Sequence, residues 1–163
     1  MELPKRNFIS NNQSIDLNIK FNQKSDFKPN GLWYSCHSSW YNWIKENMEH
    51  RLAKYIHKLN LNYGTLTNID NKNPNKILVI DNLTDFNKFE LEYLKPNKFI
   101  NWNKVSKNYG GIEICPYFIS KRTTRWYYPW DVASGCIWNS SIIKNTELIY
   151  QKVNNKYVKI TNM

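Results

Sequence analysis

The sequence predicts a single α+β domain over residues 1–163, built from short, mostly antiparallel strands with two or three helices packed on them. Strand-like patterns outnumber helical patterns along the chain, and short turns connect consecutive strands. The regular alternation of strand and helix that is typical of a parallel sheet is missing. A chain of 163 residues suits one domain and can bury a substantial core.

The N-terminal part of the chain combines strand-like segments with polar linkers. Residues 7–10 form a short candidate strand, and residues 15–21 alternate apolar and polar side chains with a period of two. A turn signal over 28–31 follows, because proline presets a bend and glycine tolerates positive φ. Residues 32–35 then form a third candidate strand.

Three helices are predicted from apolar spacing and capping residues. Apolar side chains recur at the helical period over 40–48, with Ser38 or Ser39 as the N-cap. Thr84 can cap a second helix, which Pro96 stops. A short third helix is expected over 102–107.

Further strands are expected between and after these helices, with a weak extended piece up to Ile69. In the first, over 55–61, His57 shares a face with apolar residues, so we interpret it as a core histidine. The sequence 109–111 is predicted to be a turn before a strand at 112–115. The remaining strands are a buried strand at 77–81 and a C-terminal hairpin, 148–152 with 157–160, around a type I′ turn at Asn154–Asn155.

The stretch 126–139 contains three tryptophans, two tyrosines and a single carboxylate. From Asp131 onward, residues of both parities are mostly small or apolar, which is typical of a strand covered on both faces. A carboxylate in such a setting is costly unless it is hydrogen-bonded or functional. Asp131 is therefore either a cap on a neighbouring backbone in the core or part of a site.

The cysteines and histidines give no metal-binding spacing, so no metal is expected. Cys36, Cys115 and Cys136 are an odd number without paired spacing, which predicts free thiols in a reducing compartment. The chain has no long apolar run, and its first residues lack the apolar core of a signal peptide. These features predict a soluble, intracellular protein without a membrane partner.

The formal net charge of +10 favours an anionic partner such as nucleic acid. The composition is also rich in Asn, Lys, Ile and Tyr, which A/T-rich codons encode, so a genome bias could supply the lysines without a partner. Both interpretations stay open.

A compact basic cluster lies in the loop 118–128. Lys121, Arg122 and Arg125 stand beside aromatic residues, among them Trp126. Cations next to aromatic rings can bind and stack on a single-stranded nucleic acid. The alternative interpretation is an exposed, solvated loop.

Two blocks of sequence carry a resemblance to a known family. K-P-x-G-L-W-x-S occupies 28–35, and W-D-V-A-S-G-C-I-W-N occupies 130–139. With these blocks the chain resembles an uncharacterised family that occurs in giant DNA viruses and, in shorter forms, in bacteria and their phages. The resemblance runs over nearly the whole chain and implies a viral protein that acts in the host cytoplasm.

The order of elements is also similar to the ADP-ribosyltransferase fold, a split-barrel pair of sheets with a nicotinamide cleft. That superfamily has His or Arg on its first strand, an aromatic or hydroxyl residue opening the second, and Glu on a late strand. Here the first strand, 8–10, has neither His nor Arg at its middle. Residues 33–35 match the second position, and the late strand offers Asp131 and Ser134 but no Glu.

This resemblance implies a cleft for NAD or a similar nucleotide. Trp33, Tyr34, Ser35 and Trp130 would bind the cofactor, with the aromatic rings stacking on a base or on nicotinamide. Asp131 and Ser134 would be the catalytic residues, Asp131 replacing the glutamate.

The competing hypothesis is a non-enzymatic nucleic-acid-binding protein that uses the loop 118–128.

Overall fold

The computed structural model describes residues 1–24 and 27–161. In the described part of the chain, nine strands form one sheet in the order β4-β5-β6-β7-β2-β1-β3-β8-β9. The strands are β1 (Arg6–Ser10), β2 (Leu32–Cys36), β3 (Tyr55–Leu61), β4 (Leu66–Thr67), β5 (Asn73–Ile80), β6 (Tyr109–Ile114), β7 (Ser134–Ile137), β8 (Ile143–Val153) and β9 (Lys156–Lys159). The α-helices are α1 (Ser39–Met48), α2 (Leu83–Tyr93) and α3 (Trp102–Asn108).

Most neighbouring strands run antiparallel. The two parallel pairs are β4 with β5 and β5 with β6, where helices α2 and α3 make the crossover between β5 and β6. The predicted α+β class, with mostly antiparallel strands and up to three packed helices, is confirmed.

The sheet curls strongly, and a short connection shows why it must. Strands β3 and β4 are six positions apart in the sheet, which is about 29 Å in a flat sheet at about 4.8 Å per strand. The link from Leu61 to Leu66 has five Cα steps of about 3.8 Å and reaches at most about 19 Å. The sheet therefore bends toward closure and has one concave face.

Each face of the sheet has its own core. On the concave face, Ile77 of β5 and Leu59 of β3 belong to one buried cluster, although four strands, β6, β7, β2 and β1, lie between them in the sheet. On the other face, α2 and α3 pack with the loop 118–130 into a core that is mostly aromatic. Its largest buried members are Phe86, Phe89, Tyr93, Trp102, Tyr109, Trp126, Tyr127 and Trp130.

Several local predictions agree with the structure. The side chain of His57 is 1% exposed; its ring stacks on Phe8 and its Nε2 lies 3.0 Å from the carbonyl oxygen of Asn12. Asn154 and Asn155 have φ of 49° and 62°, as a type I′ hairpin turn requires. Burial lowers the pKa of His57, because the charged ring would lose its water.

Three local predictions are wrong. Residues 15–21 form no strand; Ile15 and Leu17 are partly buried and pack against the concave core without a partner strand, and Ile19 is exposed. The sequence 109–111 is not a turn but the start of β6. A Cβ on Gly110 would lie 2.7 Å from the carbonyl oxygen of Pro74, so glycine serves a close strand approach there.

The third correction concerns the cap of α2. Asn82, not Thr84, is the N-cap, and its side chain accepts a hydrogen bond of 2.9 Å from the backbone N–H of Asp85. Thr84 lies inside the helix, one residue after its start.

The prediction of three free thiols is wrong for two of them. Cys36 and Cys115 form a disulfide, with their Cα atoms 6.7 Å apart, while Cys136 is free and buried. Cys36 ends β2 and Cys115 follows β6, and only β7 lies between these strands. The topology brings together residues that are 79 positions apart in sequence, which their spacing alone does not reveal.

Helices that could cross a membrane are not found among the residues that the structure describes.

Candidate functional site

Trp33 of β2 borders three cavities. They lie where β1 ends, β2 begins and β7 ends. The first, which we call the slot, has a volume of about 120 Å³. The second, the chamber, has about 420 Å³, and the third, the lysine cavity, has about 450 Å³. A ligand that contacts the indole can therefore extend in more than one direction.

The slot runs between two tryptophans and over two serines. Trp33 comes from β2 and Trp40 from α1, and both side chains are half-buried. Ser35 and Ser134 are direct partners in the pairing of β2 with β7, so their side chains are neighbours on one face of the sheet. The remaining lining residues are Phe8, Ile9 and Tyr34.

The two aromatic walls of the slot are held in place by contacts behind them. The ring of Trp33 packs edge-on against buried Trp130, with 4.9 Å between ring centroids. The backbone N–H of Trp40 donates a hydrogen bond of 3.0 Å to the Ser35 hydroxyl, which ties the start of α1 to β2. Rigid walls lower the conformational entropy that a ligand must remove on binding.

Both serines of the slot are engaged in hydrogen bonds. Ser134 donates to the carbonyl oxygen of Val132 at 3.0 Å. Ser35 lies 3.0 Å from the hydroxyl of Ser39, which donates to the carbonyl oxygen of Ala133 at 2.7 Å. Among the described residues that line the slot there is no histidine or carboxylate that could activate a serine as a nucleophile. The slot is equipped for binding.

The chamber is mainly apolar. The segment 14–21 covers one side, contributing Ile15, Leu17 and Phe21, and β7 contributes Ile137. Its volume lies within the range typical of small-molecule sites, about 300–1,000 Å³.

The lysine cavity supplies positive charge beside the same indole. Lys20 and Lys24 are exposed and line it together with Trp33. Lys28 places its Nζ 5.0 Å from the centre of the Trp33 ring. Burial lowers the pKa of Lys28, and the negative charge of Asp131 opposes that shift.

The structure brings together four of the six residues expected at a nucleotide cleft. Trp33, Tyr34, Ser35 and Ser134 all line the slot, but the Tyr34 hydroxyl is on the opposite face of the sheet, bonded to Glu113. Trp130 is 1% exposed and supports Trp33 from below, so it offers no free face to a ligand. Asp131 lies outside the slot and is exposed to solvent.

The basic loop 118–128 is divided between the surface and the core. Arg122 and Arg125 are exposed, and the Arg125 guanidinium lies 4.5 Å from the centre of the Phe99 ring. Lys121 lies over the buried ring of Phe86. Trp126 is 0% exposed, so the expectation that it stacks on a nucleobase is not met; the tryptophan belongs to the core.

The sequence-based reasoning missed a buried charged cluster on the concave face. The Glu113 carboxylate, 2% exposed, accepts hydrogen bonds from Arg6 Nε at 2.7 Å, from Arg6 Nη2 at 3.3 Å and from the Tyr34 hydroxyl at 2.9 Å. Burial, and then the charge of Glu113, raise the pKa of Tyr34 well above its usual value. One signal was available, because Glu113 stands between two isoleucines in an otherwise uncharged strand.

No group of three or more His, Cys, Asp or Glu side chains that could hold a metal ion occurs in residues 1–24 and 27–161. Comparison of the chain with protein-family models, with curated proteins and with solved structures gives no match. The resemblances to a giant-virus family and to the ADP-ribosyltransferase fold therefore stay predictions.

Proposed function

We propose that the protein binds a nucleotide at Trp33, with the base against the indole and the phosphate groups at the lysine cavity. The observation that carries this proposal is the position of Trp33. One side chain borders a slot with aromatic walls, an apolar chamber and a cavity lined by lysines. A nucleotide combines the two chemistries that this arrangement complements, a planar ring and an anion.

The aromatic part of the ligand is accommodated by stacking. Trp33 and Trp40 are half-buried rather than fully buried, so each keeps ring surface that a ligand can cover. Stacking of a base on an aromatic side chain contributes about 1–3 kcal/mol. Ser35 and Ser134, which line the slot, carry hydroxyl groups that can exchange hydrogen bonds with the edge of the ring.

The anionic part of the ligand is accommodated by Lys20 and Lys24, with Lys28 close to the ring. The negative charge of Asp131 acts on Lys28 and opposes its attraction for an anion. A dinucleotide such as NAD would use the chamber as well, because the slot alone is too small for two rings.

The proposed function is nucleotide binding and does not include transfer of ADP-ribose. A transferase needs a carboxylate near the reacting sugar carbon. Asp131 is the predicted catalytic carboxylate, and it lies outside the slot.

The test is calorimetry with ATP, AMP and NAD on the wild type and on matched variants. Trp33→Leu should weaken binding by about 1–3 kcal/mol, because it removes the stacking surface. Tyr150→Leu, which changes a half-buried aromatic residue of β8 outside the three cavities, should leave affinity unchanged. Absence of binding by all three nucleotides, or an equal loss in both variants, would contradict the proposal.

A single-stranded nucleic acid is the second candidate ligand. The observation in its favour is the exposure of Arg122 and Arg125 in the loop 118–128, together with Tyr128, which is 71% exposed. In this alternative Tyr128, not the buried Trp126, would stack on a base.

A further inference from the structure

A further cavity, with a chemistry different from that of the three cavities at Trp33, lies at the other end of β1. It has a volume of about 550 Å³, and four cationic residues are among those that line it: Lys5, Arg6, Lys58 and Lys144. They come from three parts of the chain, namely the start of β1, β3 and β8. We call it the basic cavity.

The strand register explains why a cavity exists here. The pairing of β1 with β3 begins at Asn7, opposite Lys58, and β1 itself starts at Arg6. Strand β3 continues to Leu61, still paired with β8 on its other side. The β3–β8 pair therefore projects beyond the start of β1 and leaves a recess beside it.

Arg6 is the fixed cation of the basic cavity. Glu113 binds its Nε and Nη2, and the Tyr34 hydroxyl holds Glu113 in turn. A guanidinium has five N–H donors, and the bonds to Glu113 use two of them, while Arg6 is among the residues that line the cavity. Because the buried carboxylate already orients the guanidinium, binding an anion costs little additional ordering.

The lysines add charge that carboxylates in the protein do not neutralise completely. In the described part of the chain, Lys5 and Lys144 take part in no ion pair. Glu147 lines the cavity and pairs with Lys58 at 3.6 Å, while Asn60 donates to it at 2.8 Å. The hydrogen bond from Asn60, and then the charge of Lys58, lower the pKa of Glu147.

We propose that the basic cavity binds an inorganic oligophosphate such as pyrophosphate or tripolyphosphate. None of the described residues that line it is aromatic, so it offers no stacking surface for a nucleobase, in contrast to the slot at Trp33. The cavity is larger than one phosphate group needs, and the cationic residues that line it come from three parts of the chain. A chain of linked phosphates can contact several of them at once.

The test is calorimetry of the full chain with tripolyphosphate at two salt concentrations. Lys5→Ala with Lys144→Ala should weaken binding at least about tenfold and reduce its salt dependence, because two phosphate contacts are lost. Lys107→Ala with Lys159→Ala removes the same charge from two exposed positions outside the cavity and should have little effect. Equal losses in the two variants would show unspecific attraction to a basic protein and overturn the proposal.

Three single variants locate the anion more closely. Glu147→Gln removes the only carboxylate among the described lining residues and should tighten binding severalfold, whereas Glu49→Gln, at an exposed position elsewhere, should not. Trp33→Leu should leave tripolyphosphate affinity unchanged. A loss in Trp33→Leu would place the anion at the lysine cavity and overturn the proposal, as would the absence of binding to the wild type.

Discussion

The hydroxyl of Tyr34 reaches across strand β7 and donates a hydrogen bond of 2.9 Å to Glu113 on β6. The residue of β7 that lies between them in the register is Gly135. A Cβ built on Gly135 would lie 2.3 Å from Cζ of Tyr34, so the ring occupies the space of the missing side chain. Because Arg6 of β1 also binds Glu113, the buried carboxylate links three strands, β1, β2 and β6.

Gly135→Ala should therefore destabilise the protein. The added methyl group must displace the Tyr34 ring, and overpacking of this kind costs about 1–3 kcal/mol. Urea unfolding measures the change in the free energy of unfolding. In a Tyr34→Ala background the same change should cost much less, because the ring is gone; a full cost in that background would show that the ring is not the cause.

Removing one partner of the buried ion pair should cost more than removing both. Glu113→Leu alone leaves the Arg6 guanidinium without its counter-charge, which should cost about 3–5 kcal/mol, as breaking other buried pairs does. The double variant Arg6→Met, Glu113→Leu should unfold at a higher urea concentration than Glu113→Leu. If the losses of the single variants Arg6→Met and Glu113→Leu add up to the loss of the double variant, the two residues are not coupled.

The disulfide should make stability depend on reduction. Replacing both Cys36 and Cys115 by Ser should lower the free energy of unfolding by about 2–5 kcal/mol, because the bond closes a long loop of the unfolded chain. Thermal melts with and without a reducing agent provide the check. Reductant should lower the melting temperature of the wild type and leave the double variant unchanged; no effect on the wild type would show that the bond contributes nothing.

Alkaline pH should unfold the protein through its buried tyrosines. In the described part of the chain, burial raises the pKa of six tyrosines that are fully or partly buried, in the case of Tyr157 to about 12. The folded state then holds these protons more tightly than the unfolded state, so their contribution is complete below the ordinary pKa of 10.0 and is lost as pH rises through the folded value. The six are Tyr34, Tyr93, Tyr109, Tyr117, Tyr127 and Tyr157.

Absorbance at the phenolate band and circular dichroism, recorded together against pH, measure this effect. Part of the tyrosine signal should appear only as the structure unfolds. Tyr157→Phe should lose less stability above pH 10.0 than the wild type, since it has one buried phenol fewer to ionise. Complete ionisation of the tyrosines in a protein that is still folded would contradict this expectation.

Single-strand binding by the loop 118–128, if it occurs, should depend on salt through its exposed arginines. Arg122→Ala with Arg125→Ala should reduce the log–log salt slope by about two, because about two phosphate contacts are lost. Lys152→Ala with Lys156→Ala is the control for charge alone. Equal changes in both variants, in a filter-binding or anisotropy titration, would exclude the loop as a site.

Local sequence signals predicted local structure well. The alternation around His57 and the two asparagines of the C-terminal turn were interpreted correctly, because neighbouring residues determine both patterns. The segment 15–21 has the same alternation as a strand. Whether such a segment finds a partner strand depends on the topology, which local periodicity does not contain.

The candidate site was predictable in part for the same reason. Trp33, Ser35 and Ser134 could be selected by residue type, and β2–β7 pairing brings them together. The alternation of strand β2 sends the Tyr34 hydroxyl to the opposite face, toward Arg6 and Glu113. The Cys36–Cys115 bond and this charged cluster depend on which strands neighbour β7, and the sequence carries no local record of that order.

Because Trp33 of β2 pairs with Cys136 of β7, β2 cannot complete its pairing until late in synthesis on the ribosome. Once β3 has been synthesised, β1 can pair with β2 and β3, its two neighbours in the sheet. The other edge of β2 stays unpaired until β7 has been synthesised. Synthesis from the end of β2 at Cys36 to the end of β7 at Ile137 takes about 5–20 seconds at about 5–20 residues per second. An open edge strand is a template for pairing with other chains. Nascent chains that stop before β7 should therefore be the aggregating species, and full-length chains should become protease-resistant only near the end of translation.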